Sequence, residues 1–195
     1  MIRADLVGDK ALIARLGATS AKVMKRLGLA MRKLQYDLVQ AARDENRAVL
    51  HQRTGNLIGS ILPGTFDQSD TKIEATVVAG GGENFYARIQ EYGGTIVPKN
   101  VSFLTIPLDA AKTASGVGRW SAREIIEDPS IGGYSGTFFK HGVLFGKTPD
   151  GITPLFALKS SVTLPSRPYM RPALLKMRPQ IETELAAAIA EGLQE

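Results

Sequence analysis

From Val23 onward, apolar side chains recur at steps of three, four and seven: Val23, Leu27, Ala30, Met31, Leu34, Leu38, Ala41, Ala42 and Val49. At 3.6 residues per turn these positions share one face, so the spacing predicts a helix of roughly thirty residues. Thr19 or Ser20 supplies its N-cap, and Gly28 weakens it only slightly. Near the other end, Leu174, Leu175, Met177, Ile181, Leu185, Ala188, Ile189 and Gly192 pattern a second amphipathic helix, which Pro179 is expected to bend or split. Between the two the period changes. Lys72–Ala79 alternates and is β-branched, which predicts a strand.

Shorter segments fill the remaining chain. Ile2–Val7 reads as a short edge strand, and Asp9 as the cap of a turn running to Gly17. Thr54 caps a brief turn that buries Leu57, Ile58 and Ile61, and Pro63-Gly64 reads as a turn. Phe85–Tyr92 reads as a short helix with Phe85, Ile89 and Tyr92 on one face, stopped by Gly93-Gly94. Thr95–Val97 and Val101–Leu108 are strand-like, and Trp120–Asp128 forms a brief helix. Phe138–Phe145 and Ile152–Leu164 read as strands on either side of a tight turn at Pro149-Asp150-Gly151. Residues 98 to about 150 thus look like one or two β-hairpins inserted into a single domain spanning 1–195.

The stretch Pro165-Ser166-Arg167-Pro168-Tyr169-Met170-Arg171-Pro172 joins a strand to the last helix. Each proline fixes its own φ and pushes its predecessor out of the α region. Pro172 suits a first helical turn, where its missing N–H is not needed. The result is a rigid elbow anchored by Tyr169 and Met170, and alternatively a contact site built on that elbow. Burial of Tyr169 and Met170 is expected. So is a charge-assisted bond from Arg167 or Arg171 to a carboxylate or carbonyl nearby.

Composition narrows the classes. The chain has 195 residues, 44% apolar and 22% charged, which is ordinary for a globular protein. With no cysteine, disulfide and thiolate chemistry are excluded, which fits assembly in a reducing interior. No apolar run is long enough to span a membrane, and Met1–Gly8 lacks an apolar core of signal-peptide length. The net charge of +5 is matched by one segment. Lys22, Lys25, Arg26, Arg32, Lys33, Arg43, Arg47 and Arg53 stand against Asp37, Asp44 and Glu45. This basic face is either a solvated surface or a stripe facing DNA phosphates or an acidic neighbour.

The search for reaction chemistry returns negatives. Gly142–Thr148 has three residues between its glycines where a phosphate loop needs four, and a turn follows in place of a helix. Gly80-Gly81-Gly82 lacks dinucleotide-fingerprint spacing. His51 and His141 stand far apart without ligand spacing, so no metal is expected. No Gly-x-Ser-x-Gly elbow occurs, and Asp67, Asp70 and Glu74 form no recognisable catalytic pair. No catalytic, metal or cofactor site is expected.

Three stretches together resemble a known family. Thr54-Gly55-Asn56-Leu57-Ile58-Gly59-Ser60-Ile61 follows the long helix. Tyr86-Ala87-Arg88-Ile89-Gln90-Glu91-Tyr92-Gly93-Gly94 follows a strand. Pro165–Leu174 precedes the last helix. Their order is similar to the tail-completion and tail-terminator proteins of long-tailed double-stranded-DNA bacteriophages, also described as minor tail or virion morphogenesis proteins. The resemblance covers roughly residues 20–97 and 150–190, and residues 98 to about 150 exceed the compact members.

The resemblance implies an α+β fold, with a small antiparallel sheet packed by the long N-terminal helix and the C-terminal helix. It implies a structural virion protein without turnover, assembled in the host cytoplasm. Such a protein forms a homo-oligomeric ring, commonly a hexamer, in the neck. The ring terminates the tail tube and joins it to the head-side connector or stopper, while DNA passes through the lumen. On this reading Lys22, Lys25, Arg26, Arg32, Lys33, Arg43 and Arg47 are candidates to face DNA non-specifically. Arg167, Tyr169, Met170, Arg171, Phe138, Phe139 and Phe145 are candidates for subunit or neck contacts. The apolar residues Val143 and Leu144 add to the expectation that the insertion touches neighbouring subunits. The alternatives are a soluble DNA-binding module using the basic helix 20–53, and a hydrolase with an unrecognised site.

Overall fold

The computed structural model describes residues 2–7, as backbone, and 21–51, 54–70, 72–81 and 86–194. The expected turn from Asp9 to Gly17, the cap at Thr19 or Ser20, and residues Arg53, Gly82 and Phe85 lie outside the described residues. The fold is α+β. In chain order the elements are β1 (Ile2–Val7), α1 (Ala21–Val49), α2 (Asn56–Gly59), β2 (Leu62–Gln68), β3 (Ile73–Ala79), α3 (Tyr86–Tyr92), β4 (Gly94–Ile96), β5 (Leu104–Pro107), α4 (Ala122–Glu127), β6 (Gly136–Lys140), β7 (Val143–Thr148), β8 (Gly151–Lys159), β9 (Val162–Leu164) and α5 (Met170–Gln194). Short 3-10 turns occupy Asp109–Ala111 and Pro129–Gly132. The chain divides into two compact units: Met1–Gly93 with Pro165–Glu195, and Gly94–Leu164.

The first unit is a helix pair laid on a three-stranded antiparallel sheet of order β1-β3-β2. Val23, Leu27, Met31, Leu34, Leu38 and Ala42 of α1 are buried at steps of three and four. The stripe continues through Asn46 and Leu50, while Val49, expected on this face, is exposed. From α5, Met170, Ala173, Met177, Leu185, Ala188 and Gly192 meet the same core, whereas Leu175 points outward. Of the two outcomes expected at Pro179, a bend or a split, the split does not occur: α5 runs unbroken from Met170 to Gln194. It lies on the exposed face, so the carbonyl it leaves without a helical donor belongs to exposed Leu175 and can be hydrated.

The helices run antiparallel. Arg26 pairs with Glu191 at 3.7 Å, Lys33 with Glu184 at 2.8 Å, and Glu45 with Lys176. The Lys33 hydrogen bond, then one from Gln180, holds the Glu184 carboxyl below its usual value. Exposed pairs of this kind contribute only about 0–1 kcal/mol each, so apolar burial carries the helix pair and the ions set its register.

Pro63-Gly64 is not a free turn but part of β2, beside a bulge where the register with β3 shifts between Pro63 and Phe66. The bulge takes the Gly64 and Thr65 carbonyls off the ladder. Buried Gln35 of α1 answers them, with its Nε2 donating to Thr76 O at 2.7 Å and to Gly64 O and Thr65 O at 3.3 Å. One amide side chain thus ties the long helix to both strands.

The second unit, Gly94–Leu164, includes residues 98–150. Its four-stranded antiparallel sheet has the order β5-β8-β7-β6, and β4 pairs with β9. Ala111, Ala122, Ile125, Leu144, Leu155 and Phe156 form its core, with Trp120 and Tyr134 edge to face at 6.4 Å against it. Phe138–Phe145, expected as one strand, is two. His141 and Gly142 both take positive φ, 48° and 73°, the conformation a two-residue hairpin turn requires.

At Gly192 the two long helices come into close contact. A Cβ there would stand 2.7 Å from the Val23 Cα, with no flexible side chain to give way. Gly192→Ala is therefore expected to lower stability by about 1–3 kcal/mol, although alanine is the better helix former. A urea midpoint equal to or above wild type would show that the helices separate without cost.

Candidate functional site

The sequence motifs of the first unit converge on one side chain. Helix α3 turns Ala87 and Glu91 inward, one helical turn apart. Ile89 is only half-buried and Tyr92 is exposed, so the inward face differs from the one expected from apolar spacing. Gly93, at φ 70°, stops the helix directly after Tyr92. Glu91 is 4% exposed, and its carboxylate faces the start of α5.

There it accepts three main-chain hydrogens. Oε2 takes the N–H of Tyr169 at 2.7 Å and of Met170 at 3.0 Å, and Oε1 takes that of Arg171 at 3.1 Å. A helix leaves its first donors without intrahelical partners. In α5 all are accounted for. Three meet Glu91, Pro172 has none to offer, and the Ala173 N–H opens the helical ladder on Tyr169 O at 3.3 Å. Two further bonds lace the elbow to α3. Ser166 Oγ donates to Glu91 O at 2.8 Å and Arg167 N–H to Gln90 O at 2.7 Å.

Magnitudes explain why a carboxylate survives burial here. Desolvating it costs several kcal/mol. Three charge-assisted bonds at about 1.5–3 kcal/mol each, with the positive end of a long helix dipole, offset that cost.

The expectation for the elbow is therefore met in part and corrected in part. Tyr169 and Met170 are buried, at 0% and 3% exposure. Their side chains fill the chain's own core, so they are removed from any subunit contact surface. Arg167 and Arg171 contribute main-chain donors to the clamp, while their side chains are exposed. The expected side-chain bond is replaced because the anion sits under the backbone. The Tyr169 hydroxyl is buried without a hydrogen-bond partner among the described residues. Burial, and then the negative charge of Glu91, push it far above its usual value of 10, so it stays neutral.

The basic face of α1 is divided. Arg26 and Lys33 pair across to α5, and Arg47 pairs with Asp44 at 2.6 Å. Arg43 leaves the solvated face, its Nη2 donating to Ile61 O at 2.9 Å. Arg32 lies 4.2 Å over the Phe66 ring. Lys22 and Lys25 are near the start of the helix, with Lys22 exposed. In the second unit, Phe138 stacks on Phe145 at 5.4 Å and both are half-buried, whereas Phe139 is 57% exposed. Leu144 is fully buried in that unit's own core and offers a neighbour nothing.

Among the described residues no cluster of histidine and carboxylates suits a metal ion, and no helix is long and apolar enough to cross a membrane. Sequence reasoning missed Glu91 as an anchor. Its only signal was a carboxylate directly before Tyr92-Gly93-Gly94, one turn after a small Ala87.

Two variants test the clamp. Glu91→Ala leaves three buried donors unanswered and is expected to cost about 3 kcal/mol or more, with Glu91→Gln between it and wild type. Equal stability of all three proteins would mean that the carboxylate holds nothing. Tyr169→Phe removes only the unpartnered hydroxyl and is expected to leave the melting temperature unchanged or raised. A clear loss would show that the hydroxyl has a partner.

In comparisons with known proteins, no family model, curated sequence or solved structure matches this chain significantly.

Proposed function

We propose that this chain is a structural protein of the neck or tail of a long-tailed double-stranded-DNA bacteriophage. It assembles as a ring that terminates the tail tube and joins it to the head-side connector, with DNA passing through the lumen. It carries out no turnover, and its place is the virion.

The observation that supports this reading is the Glu91 clamp. The Tyr-Ala-x-x-x-Glu-Tyr-Gly stretch and the Pro-x-Arg-Pro-Tyr-Met-Arg-Pro stretch lie 78 to 80 residues apart at their bonded atoms. They meet through the glutamate of one and the first helical turn of the other. The third stretch, Thr54–Ile61, lies in the same compact unit, where Ile61 is fully buried and Ser60 Oγ accepts the Gly80 N–H at 3.1 Å. A pattern that carried no structural unit would have no reason to collect in this way. The long stretch between the Tyr86–Gly94 and Pro165–Leu174 motifs forms the other unit, as an addition to such a domain would.

The DNA contact in this proposal is non-specific and weak. Arg26, Lys33, Arg43 and Arg47 already have partners in the chain, so the face offers fewer uncommitted cations than its composition suggests. That suits a conduit through which DNA must leave, since tight phosphate binding would oppose ejection.

Deleting the gene from the phage that encodes it tests the proposal. The expected result is filled heads and separate tails, restored to joined particles when the protein is supplied in trans. Joined, infectious particles lacking the protein would contradict it.

A further inference from the structure

The four-stranded sheet of the second unit has two unlike faces. One carries Leu144 and Phe156 into that unit's core. The cross-strand register assembles the other. Phe138 opposes Phe145, Lys140 opposes Val143, Val143 opposes Ala157, and Lys147 opposes Ile152. Side chains alternate between faces along a strand, so Lys140 shares its face with Phe138, Lys147 with Phe145, and Lys159 with Ala157. Phe138 stacks on Phe145 at 5.4 Å, and the Lys147 ammonium lies 5.5 Å from the centre of the Phe138 ring, as that placement requires. The three lysines of β5 to β8 therefore stand on one side of the sheet, and all three are exposed.

These four strands contain no aspartate or glutamate, and Asp150 stands in the exposed turn between β7 and β8. Among the described residues Lys140, Lys147 and Lys159 enter no ion pair. The contrast is with α1, where Arg26, Lys33 and Arg47 are already paired. Spacing then decides what the face can hold. Lys140 and Lys147 are offset by four residues on adjacent strands, about 13 Å at the usual rise, and Lys147 and Lys159 stand about 20 Å apart. No single small anion meets all three, whereas a polyanion with charges along its length does. The rings are not offered to unstacked bases, because Phe145 covers one side of Phe138 and Lys147 the other. What remains for a ligand is charge, which a duplex meets with the phosphates on its outside.

We propose that this face, marked by Lys140, Lys147 and Lys159, is where the chain meets duplex DNA. The proposal rests on the conduit reading and moves its DNA contact from α1 to the second unit. Each lysine meets a phosphate, and no base edge is read, so the contact is independent of sequence. Three cations per copy are few, and in a ring they add up around the duplex without gripping it at one point.

The test measures binding of the full chain to a fluorescent duplex of arbitrary sequence between 50 and 200 mM salt, with circular dichroism to check folding. Lys140→Gln, Lys147→Gln and Lys159→Gln are combined in one variant. Its affinity at low salt is expected to fall about tenfold or more, and its salt slope by about one for each lysine. A control with the same charge loss combines Lys72→Gln, Arg123→Gln and Arg178→Gln, whose cations already have partners. It is expected to stay within about twofold of wild type. A triple variant that binds as wild type does, a control that falls equally, or a wild type that does not bind the duplex would each overturn the proposal. So would tighter binding to the single strand, which would make unstacked bases the ligand. Phage carrying the triple variant that fail to join heads to tails, with DNA affinity unchanged, would assign the face to an acidic neighbour instead. None of these results bears on the ring reading, which the gene deletion decides separately.

Discussion

The first unit depends on one buried carboxylate. Glu91 fixes where α5 begins, because a helix must answer its first main-chain donors and these three have no other acceptor. Fixing that start fixes the phase of the whole helix. Met170, Ala173, Met177, Leu185, Ala188 and Gly192 then reach the core in step. The prolines of the elbow serve the same end. They remove conformations from the connecting chain, and Pro172 removes a donor the carboxylate would otherwise have to meet. The same anchor holds Tyr169 in the core with its hydroxyl unpartnered among the described residues, a cost that packing of the aromatic side chain offsets.

From that anchor the remaining forces follow in order of size. Apolar burial between α1, α5 and the sheet is the largest favourable contribution. Gln35 satisfies the carbonyls released by the β2 bulge, at little net gain but with a large cost avoided. Cross-helix ion pairs come last. They consume Arg26 and Lys33. Lys25 and Arg32 take no part in those pairs, and Arg32 lies over the Phe66 ring instead.

The sequence made the periodic parts legible. Both long helices and the β3 strand follow from apolar spacing, because that spacing reports one buried face directly. What it could not report was pairing at a distance. Glu91 reads as an outward residue until its donors, more than seventy residues on, are known to lie beneath it. The basic face of α1 was countable, yet Glu184 stands 151 residues from Lys33, so its neutralisation was not. Phe138–Phe145 failed for a local reason. An apolar run hides a two-residue turn when His141 and Gly142 carry no stronger turn signal. The buried anchors Tyr169 and Met170 were legible because prolines on both sides left them one direction to point.

Amide hydrogen exchange at Tyr169, Met170 and Arg171 tests the central physical claim most directly. These hydrogens lie at the very start of a helix, where donors without intrahelical partners ordinarily exchange quickly. With Glu91 accepting all three, they are expected to exchange as slowly as the buried amides of α1 around Leu34 and Leu38. Exchange as fast as that of an exposed loop would mean that the carboxylate does not hold the helix, and the account of how the two motifs meet would be wrong.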